Sequence, residues 1–381
     1  MNKKNILIVN IGTNLGGIES SLSTFCKTLN VLGFSKPTLA TWKSEGAMMS
    51  QISPFIRQFI KLGVGSLNSI LKQKWRFNSI LQYIEFKIRQ LLKKDEWKAC
   101  DALSESYDIA ICYCQNGYSP YYVIDKVKAA KKILWYHHGS YEKQGRAKQK
   151  DLAYYLKYDT IVTVSEANRA MLLSHFPELS NKIIVIKNII DKEDIVKKSQ
   201  KTSEDLKVLG VCNIITVGRI SPEKGQTFAL KVARELKNRR FGFHWIFVGD
   251  GPDKIQCLSL IEEYNIESSC SFIGAKSNPY PFINQADMYV QTSSIEADPI
   301  TIAEAKVLRK PIIASDIPAI REALGNGQFG TLCALNPQTF ADRIIDTFNN
   351  KNEQATASTS FYDSTTDNAQ QLVLIHNLLN Q

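Results

Sequence analysis

At 381 residues the chain is longer than one hydrophobic core usually organises, so two domains are expected. Its 44% apolar and 22% charged residues are ordinary for a globular protein and exclude a largely disordered or fibrous chain. The formal net charge of +10 favours anionic partners (nucleic acid, an acidic bilayer, phosphorylated substrates) without choosing among them.

The N-terminus, Met1 to Lys4, precedes the short apolar run Ile6-Leu7-Ile8-Val9. That run is too short for a secretory leader and is followed by a glycine-rich loop, so it predicts a buried strand. No window reaches the roughly 18 apolar residues of a membrane span. A cytoplasmic protein is therefore expected. Its eight cysteines are scattered and should stay reduced. The Cys112/Cys114 pair has no second pair or nearby His to complete a zinc set, and reads as core thiols.

Taken in order, the pattern predicts a strand over 6–11, a glycine loop over 12–17 and a helix over 20–32. Strands follow at 39–42, 107–113, 132–137 and 159–164. Ser165 then caps a helix over 166–175, and a strand over 183–186 closes this half. The stretch 54–98 interrupts the alternation. Phe55, Phe59 and Leu62, then Ile80, Ile84, Ile88, Leu91 and Leu92, recur at helical spacing. Lys and Arg outnumber Asp and Glu ten to three between Gln51 and Cys100, including Lys72, Lys74, Arg76 and Lys93. One or two amphipathic helices with a cationic face are expected. Such a face is either merely solvated or docks on an anionic membrane or acidic acceptor.

Residues 192–207 are polar, lack an apolar period, and read as a linker. The grammar then restarts, with strands at 213–218, 243–248, 270–273, 288–291 and 311–314. Helices lie between them at 227–237, 254–264 and 302–308. Alternating strands and helices mean a parallel sheet covered on both faces. The fold class is therefore α/β, with two doubly wound Rossmann-like domains, 1–191 and 208–350, facing a cleft. A polar tail and terminal helix fill 351–381, possibly crossing back to the first domain. Ligands of such sheets bind beyond the C-terminal strand ends.

Four groups of residues carry chemistry. In T-S-S-I-E-A-D-P-I-T-I-A-E, Glu296 precedes a helix and Glu304 lies eight residues on, within its first turns. The helix start can take a diphosphate, and the acids can take hydroxyls of a ribose and a sugar. In V-G-R-I-S-P-E-K-G, a buried strand delivers Gly218, Arg219 and Lys224 to one loop. Two cations there suit a leaving diphosphate. Gly12, Gly16 and Gly17 open the first strand–helix junction, at a spacing that is not the dinucleotide fingerprint. His137 and His138 end a strand, where either can meet a sugar hydroxyl. Each of the four also has a plain structural reading: solvated acids, exposed cations, a bare turn, a core histidine.

Together these residues resemble family 4 of the GT-B glycosyltransferases. Gly16-Gly17-Ile18-Glu19 matches its G-G-x-E loop, and His137 or His138 its N-domain histidine. Val217 to Gly225 matches V-G-R-x-x-x-x-K-G, and Val248 to Pro252 matches V-G-x-G-P. Glu296 to Ser315 matches E-x₇-E with A-x-x-x-x-K-P-I-I-A-S. The similarity is best over 215–323 and weaker over 6–191.

The resemblance implies a nucleotide-sugar donor on the second domain and an acceptor mainly on the first. Arg219 and Lys224 would hold the diphosphate, Glu304 the ribose, and Glu296 would sit by the donor sugar. Gly16, Gly17, Gly218 and Gly249 would line the site, and Ile300 and Thr301 would offer backbone N–H groups. It further implies retention of configuration, no metal and no other cofactor, with UDP-sugar favoured over GDP-sugar. The chain departs from the family where Ala297-Asp298-Pro299 replaces G-F-G or G-F-P, so that Asp298, counted among the donor-binding residues, would alter which sugar hydroxyl is read. It departs again where Asn188-Ile189-Ile190-Asp191 lacks the hinge glycine.

The expected function is a retaining hexosyltransferase of bacterial surface polysaccharide synthesis, lipopolysaccharide or capsule, acting on a glycan or lipid-linked acceptor. It would lie peripherally on the inner face of the cytoplasmic membrane and bind no nucleic acid. The alternatives are a sugar-nucleotide epimerase of related fold and a degenerate GT-B binding protein.

Overall fold

The computed structural model describes residues 4–64, 77–92, 94–201, 206–350 and 364–381. Strand β1 (Ile6–Asn10) is buried on both faces. Ile6 and Ile8 enter one apolar cluster and Leu7 and Val9 another, which is why it reads as an unbroken apolar run. A glycine loop leads to α1 (Gly17–Val31), then β2 (Thr38–Thr41), β3 (Gln58–Lys61) and α2 (Phe77–Leu91). There follow β4 (Ser106–Cys112), α3 (Ser119–Lys126), β5 (Lys128–Tyr136), α4 (Gly145–Tyr155), β6 (Thr160–Thr163), α5 (Glu166–His175) and β7 (Ile183–Val185). Ser165 caps α5 by accepting from the Asn168 N–H at 3.0 Å. Among the described residues these strands form one parallel sheet ordered β3-β2-β1-β4-β5-β6-β7, reversing direction of growth between β1 and β4.

A second sheet repeats the plan. After α6 (Lys192–Ser199) come β8 (Cys212–Val217), α7 (Gln226–Asn238), β9 (Phe243–Val248), α8 (Lys254–Tyr264), β10 (Cys270–Phe272) and α9 (Tyr280–Gln285). Then follow β11 (Met288–Gln291), α10 (Ile300–Val307), β12 (Ile312–Ser315), α11 (Pro318–Ala323), β13 (Thr331–Cys333) and α12 (Pro337–Asn349). The order is β10-β9-β8-β11-β12-β13, again all parallel, with its reversal between β8 and β11. Helices cover both faces, so each sheet has two apolar clusters. The expected two-domain GT-B architecture is what the chain adopts.

Two local expectations are corrected. The helical spacing through Phe55, Phe59 and Leu62 is not a helix. Ser53–Phe55 is a single 3₁₀ turn around Pro54, and β3 then pairs with β2, Phe59 opposite Leu39. Phe59 and Ile60 pack into clusters on opposite faces, and pairing to the sheet edge overrides a helical period carried by so few residues. The linker reading of 192–207 also changes, because α6 occupies its first half. Asp191 caps that helix through the Asp194 N–H (3.1 Å), and Ile195 packs on Val307 of α10. Asn188-Ile189-Ile190 passes through the hinge without a positive φ, so the missing glycine leaves no strain there. The eight cysteines are all buried, as expected of core thiols.

The predicted amphipathic helix survives as α2, exposing Leu81, Ile84, Ile88 and Leu91, the last by 83%. Lys72, Lys74, Arg76 and Lys93, counted in its basic face, lie outside the described residues, as do 202–205 and most of the polar tail, 351–363. The terminal helix, α13 (Ser364–Asn380), packs on the first domain. Ile375, Leu378 and Leu379 join the cluster of Ile6 and Ile8, and Lys4 and Lys131 donate to the carbonyls of Leu379 and Leu378. Cations at the last carbonyls of a helix suit its dipole. Among the described residues, no helix is long and apolar enough to cross a membrane.

Candidate active site

The second domain contributes a charged wall at its reversal point. Strand β8 ends in Val217-Gly218-Arg219, and β11 ends in Gln291 just before the loop that carries Glu296. The backbone passes so close at Gly249 that a Cβ there would collide with the Gly218 carbonyl. Arg219 is exposed on this wall. Lys224 follows a 3₁₀ turn and puts Nζ 2.7 Å from both Glu296 carboxylate oxygens. Glu296 also accepts from Gln291 Nε2 (2.6 Å) and Ser293 Oγ (2.7 Å), and its side chain is only 5% exposed. A carboxylate so enclosed needs this company, since a buried charge without partners is costly. Gln291 is fixed in turn by Thr301 Oγ1 (3.1 Å) and the Tyr289 hydroxyl (3.0 Å), which both donate to its Oε1.

Glu304 sits one turn into α10, buried, and accepts from the Tyr280 hydroxyl at 3.0 Å. Burial pushes its carboxyl up to about 7, against the pull of Tyr280 and of the Lys198 charge. It lines a cavity of about 250 Å³ between the domains, bounded by Ser20, Ser21 and Thr24 of α1, Ile190, Lys198, Tyr280 and Ile300. At the start of α10, the Ile300 N–H donates to the Asp298 carbonyl at 3.0 Å, so a ligand reaching for it meets a local competitor.

The first domain contributes a wall of mixed character, with Glu19 and Lys43 near the glycine loop and the Lys27–Asp191 ion pair at the cavity. Nothing lies within 4 Å of a Cβ built on Gly17, so packing alone does not demand glycine there. Glu19 faces the other domain. Burial raises its carboxyl, while its own backbone N–H and the charges of Arg219 and Lys43 pull it back. The two histidines, left open by the sequence, separate. His138 is exposed beside Ser140, its Nδ1 3.3 Å from the Ser140 carbonyl. The His137 ring packs against Tyr113 (centroids 4.8 Å apart), and its Nε2 is enclosed without a hydrogen-bond partner. Burial drives that imidazole down to about 3, so it is neutral at ordinary pH. A buried ring nitrogen without a hydrogen-bond partner is uncommon and keeps His137 a candidate for the site. At Gly139 a Cβ would strike the Glu296 carbonyl, so the histidine loop and the Glu296 loop touch across the domain boundary.

Asp298 does not have the contacts of a residue that reads a donor hydroxyl. Its Oδ2 accepts from Asn188 Nδ2 (2.7 Å) and from the Asn188 backbone N–H (3.3 Å), both at the hinge. Burial lifts its carboxyl to about 6 despite these bonds. Sequence reasoning also missed Gln291, Ser293, Tyr280 and Asn188 as members of the site. The available signal was a polar residue closing an otherwise apolar strand, as Gln291 does. Tyr280 gave none, because only the fold brings it to Glu304.

The paired Rossmann-like sheets, with charge concentrated at one reversal point, define a GT-B fold. Its match to solved structures spans the whole chain. It is similar to an Anabaena protein crystallised with UDP and glucose, with a TM-score of 0.71 at 16% identity, over 98% of this chain and 99% of that one. Residues 191–360, the hinge and the second domain, match the family described as glycosyl transferases group 1. Over 172 residues it is 30% identical to an uncharacterized glycosyltransferase of Methanocaldococcus jannaschii, covering 43% of this chain and 41% of that protein. Over 179 residues it is 27% identical to a Campylobacter jejuni enzyme, covering 47% of each. That enzyme is N-acetylgalactosamine-N,N'-diacetylbacillosaminyl-diphospho-undecaprenol 4-alpha-N-acetylgalactosaminyltransferase. The chain thus spans less than half the length of these relatives.

Proposed function

We propose that this protein is a retaining glycosyltransferase that moves a sugar from a nucleoside-diphosphate sugar, UDP-sugar before GDP-sugar, to a glycan or lipid-linked acceptor. The observation that carries the reading is the assembly at one reversal point. Arg219, whose charge reaches Glu19 of the first domain, joins the Lys224–Glu296 pair there, and Glu304 of α10 lines the cavity between the domains.

In this mechanism Arg219, Lys224 and the N–H groups at the start of α10 draw the diphosphate and stabilise the charge it gains as the glycosidic C–O bond breaks. Glu304 accepts the ribose hydroxyls. The acceptor oxygen attacks from the face the diphosphate leaves, and its proton passes to a diphosphate oxygen, so configuration is retained. Glu296 lies by the donor sugar and orients Lys224. His137, held neutral, serves as a hydrogen-bond partner for a sugar hydroxyl rather than as a general base. Cationic side chains at the diphosphate fill the role of a divalent ion, so the reaction proceeds without metal.

The pathway is bacterial surface polysaccharide synthesis, of lipopolysaccharide or capsule. The exposed apolar stripe of α2, flanked by Lys87 and Arg89, rests on an anionic inner membrane surface near the acceptor. The Campylobacter jejuni relative, whose name specifies a diphospho-undecaprenol substrate, supports a lipid-linked acceptor.

The test is a thermal-shift panel with UDP, GDP, ADP and CMP, with EDTA and with magnesium. A ligand of the folded state raises the melting point by mass action. UDP should stabilise the wild type with EDTA present, and Glu304→Ala should lose the shift. No shift with any nucleotide in either condition overturns the reading.

A further inference from the structure

The loop Glu296-Ala297-Asp298-Pro299 belongs to the second domain, yet the first domain grips three of its residues in succession. The loop after β5 brings Gly139 against the Glu296 carbonyl. The residue capping α5, Ser165, donates its hydroxyl to the Ala297 carbonyl, and the Ala297 side chain is buried in the first domain's own apolar cluster. The segment after β7 supplies Asn188, which holds the Asp298 carboxylate through side chain and backbone.

Asn188 is itself tied down. Its Oδ1 accepts from the Ser21 hydroxyl, which shares a 2.7 Å hydrogen bond with the Tyr113 hydroxyl. The Tyr113 ring packs on His137. From behind, the terminal helix splints the hinge. Asn368 bonds both the N–H and the carbonyl of Ile190 (3.1 and 2.8 Å), and Gln371 accepts from the Lys187 N–H at 2.9 Å. A polar chain therefore runs Tyr113–Ser21–Asn188–Asp298. It starts at the ring that supports His137 and ends two residues from Glu296.

A carboxylate enclosed at a domain boundary is costly unless its partners are placed to receive it. Asparagine supplies two donors at one point, which fixes where the Asp298 carboxylate can sit. We propose that Asn188 and Asp298 are a positioning pair. By joining the hinge to the Glu296 loop, they set Glu296 in register with His137. The inference rests on the glycosyltransferase reading for what Glu296 does. Asp298 does not touch the reacting sugar; it acts through Glu296.

The experiment uses the full chain, with UDP as the binding probe and a panel of UDP-sugars assayed for hydrolysis without acceptor. Asn188→Asp sets two carboxylates against each other. The exchange N188D/D298N restores a carboxylate–amide pair and leaves Ser21 an oxygen to donate to. In the single variant, UDP-sugar turnover should fall on the order of 10²-fold, the effect of a misplaced reacting group. UDP affinity should stay near wild type, and amides 296–301 should exchange with deuterium faster. The double variant should recover both turnover and protection. The proposal is overturned if the double variant is no better than the single one, or if Asn188→Asp leaves turnover and exchange unchanged. If neither wild type nor variants bind UDP or hydrolyse any UDP-sugar, the glycosyltransferase reading fails. The exchange data still decide whether the pair holds the loop.

Discussion

The two sheets are wound alike and differ in what their strand ends carry. Those of the second domain hold charge: Arg219, the Lys224–Glu296 pair, and Glu304 behind them. Those of the first hold mostly neutral groups, the Gly16-Gly17 turn, Tyr113, His137, Ser165 and Asn188, and their charges fall in offsetting sets, Glu19 near Lys43 and Lys27 paired with Asp191. One wall is suited to bind and discharge an anion. The other is suited to place what the first wall has bound. The same architecture supports a strong electrostatic site and a positioning surface whose charges largely offset one another because function resides in loops, not in the sheet.

The sharpest way to break this contrast is to discharge the second wall. Lys224→Ala should lower UDP-sugar turnover by about 10³-fold, as expected for losing a charge that stabilises a leaving group. It also strands Glu296, so Lys224→Ala combined with Glu296→Gln should melt at a higher temperature than Lys224→Ala alone. Equal melting points would show that the pair is not mutually dependent.

On the first wall, His137→Phe should cost turnover roughly 10- to 100-fold, the scale of a lost transition-state hydrogen bond of about 1.5–3 kcal/mol. The neutral ring makes a further demand. The wild-type rate should show no inflection attributable to this histidine between pH 5 and 8, whereas a general base would show one.

Glu304 tests the contrast through pH. Its folded-state pKa, about 7, lies above the ordinary carboxyl value of 4.5, so the folded chain holds the proton more tightly than the unfolded chain. The stability this gives is complete below the ordinary value and is lost as pH rises through 7. Glu304→Gln should therefore gain on the wild type in melting temperature between pH 5.5 and pH 8.5. UDP binding should run the other way. If the ionised carboxylate accepts ribose hydroxyls as proposed, wild-type affinity should rise over the same range while that of the Gln variant stays flat in calorimetry.

The smallest effect concerns the splint behind the hinge. Asn368→Ala removes two hydrogen bonds to Ile190 and should cost about 1–2 kcal/mol in denaturant unfolding. A value indistinguishable from wild type would mean that the terminal helix is held by its apolar face alone.

How much of this was legible depended on range in sequence. The second wall was readable because Arg219 and Lys224 follow a single strand, and Glu296 and Glu304 bracket one helix start. Their chemistry is local. The strands at 243–248 and 288–291 and the helices at 166–175 and 254–264 fall where apolar patterning put them, since each is buried in a regular way. What stayed hidden was assembled at a distance. No spacing tells Asp298 to meet Asn188 instead of a sugar, or Tyr280 to meet Glu304. Edge strand β3 was taken for helix because four residues at a sheet margin carry too few apolar positions to fix a period. Helix α6 was passed over because its start is marked by one cap, Asp191, while only Ile195 within it is apolar and buried.

The place of the terminal helix bears on how the chain is made. Leu378 and Leu379 lie in the cluster that begins with Ile6, and burying each such side chain contributes about 1.5–3 kcal/mol. The first domain therefore emerges from the ribosome with an uncovered apolar groove. It stays so until the entire second domain has been synthesised, a wait on the order of tens of seconds. The second domain is translated later yet is self-contained, and it can settle while the first is still open. A stop codon just before Ser364 would leave the second domain whole and damage the opposite half of the molecule.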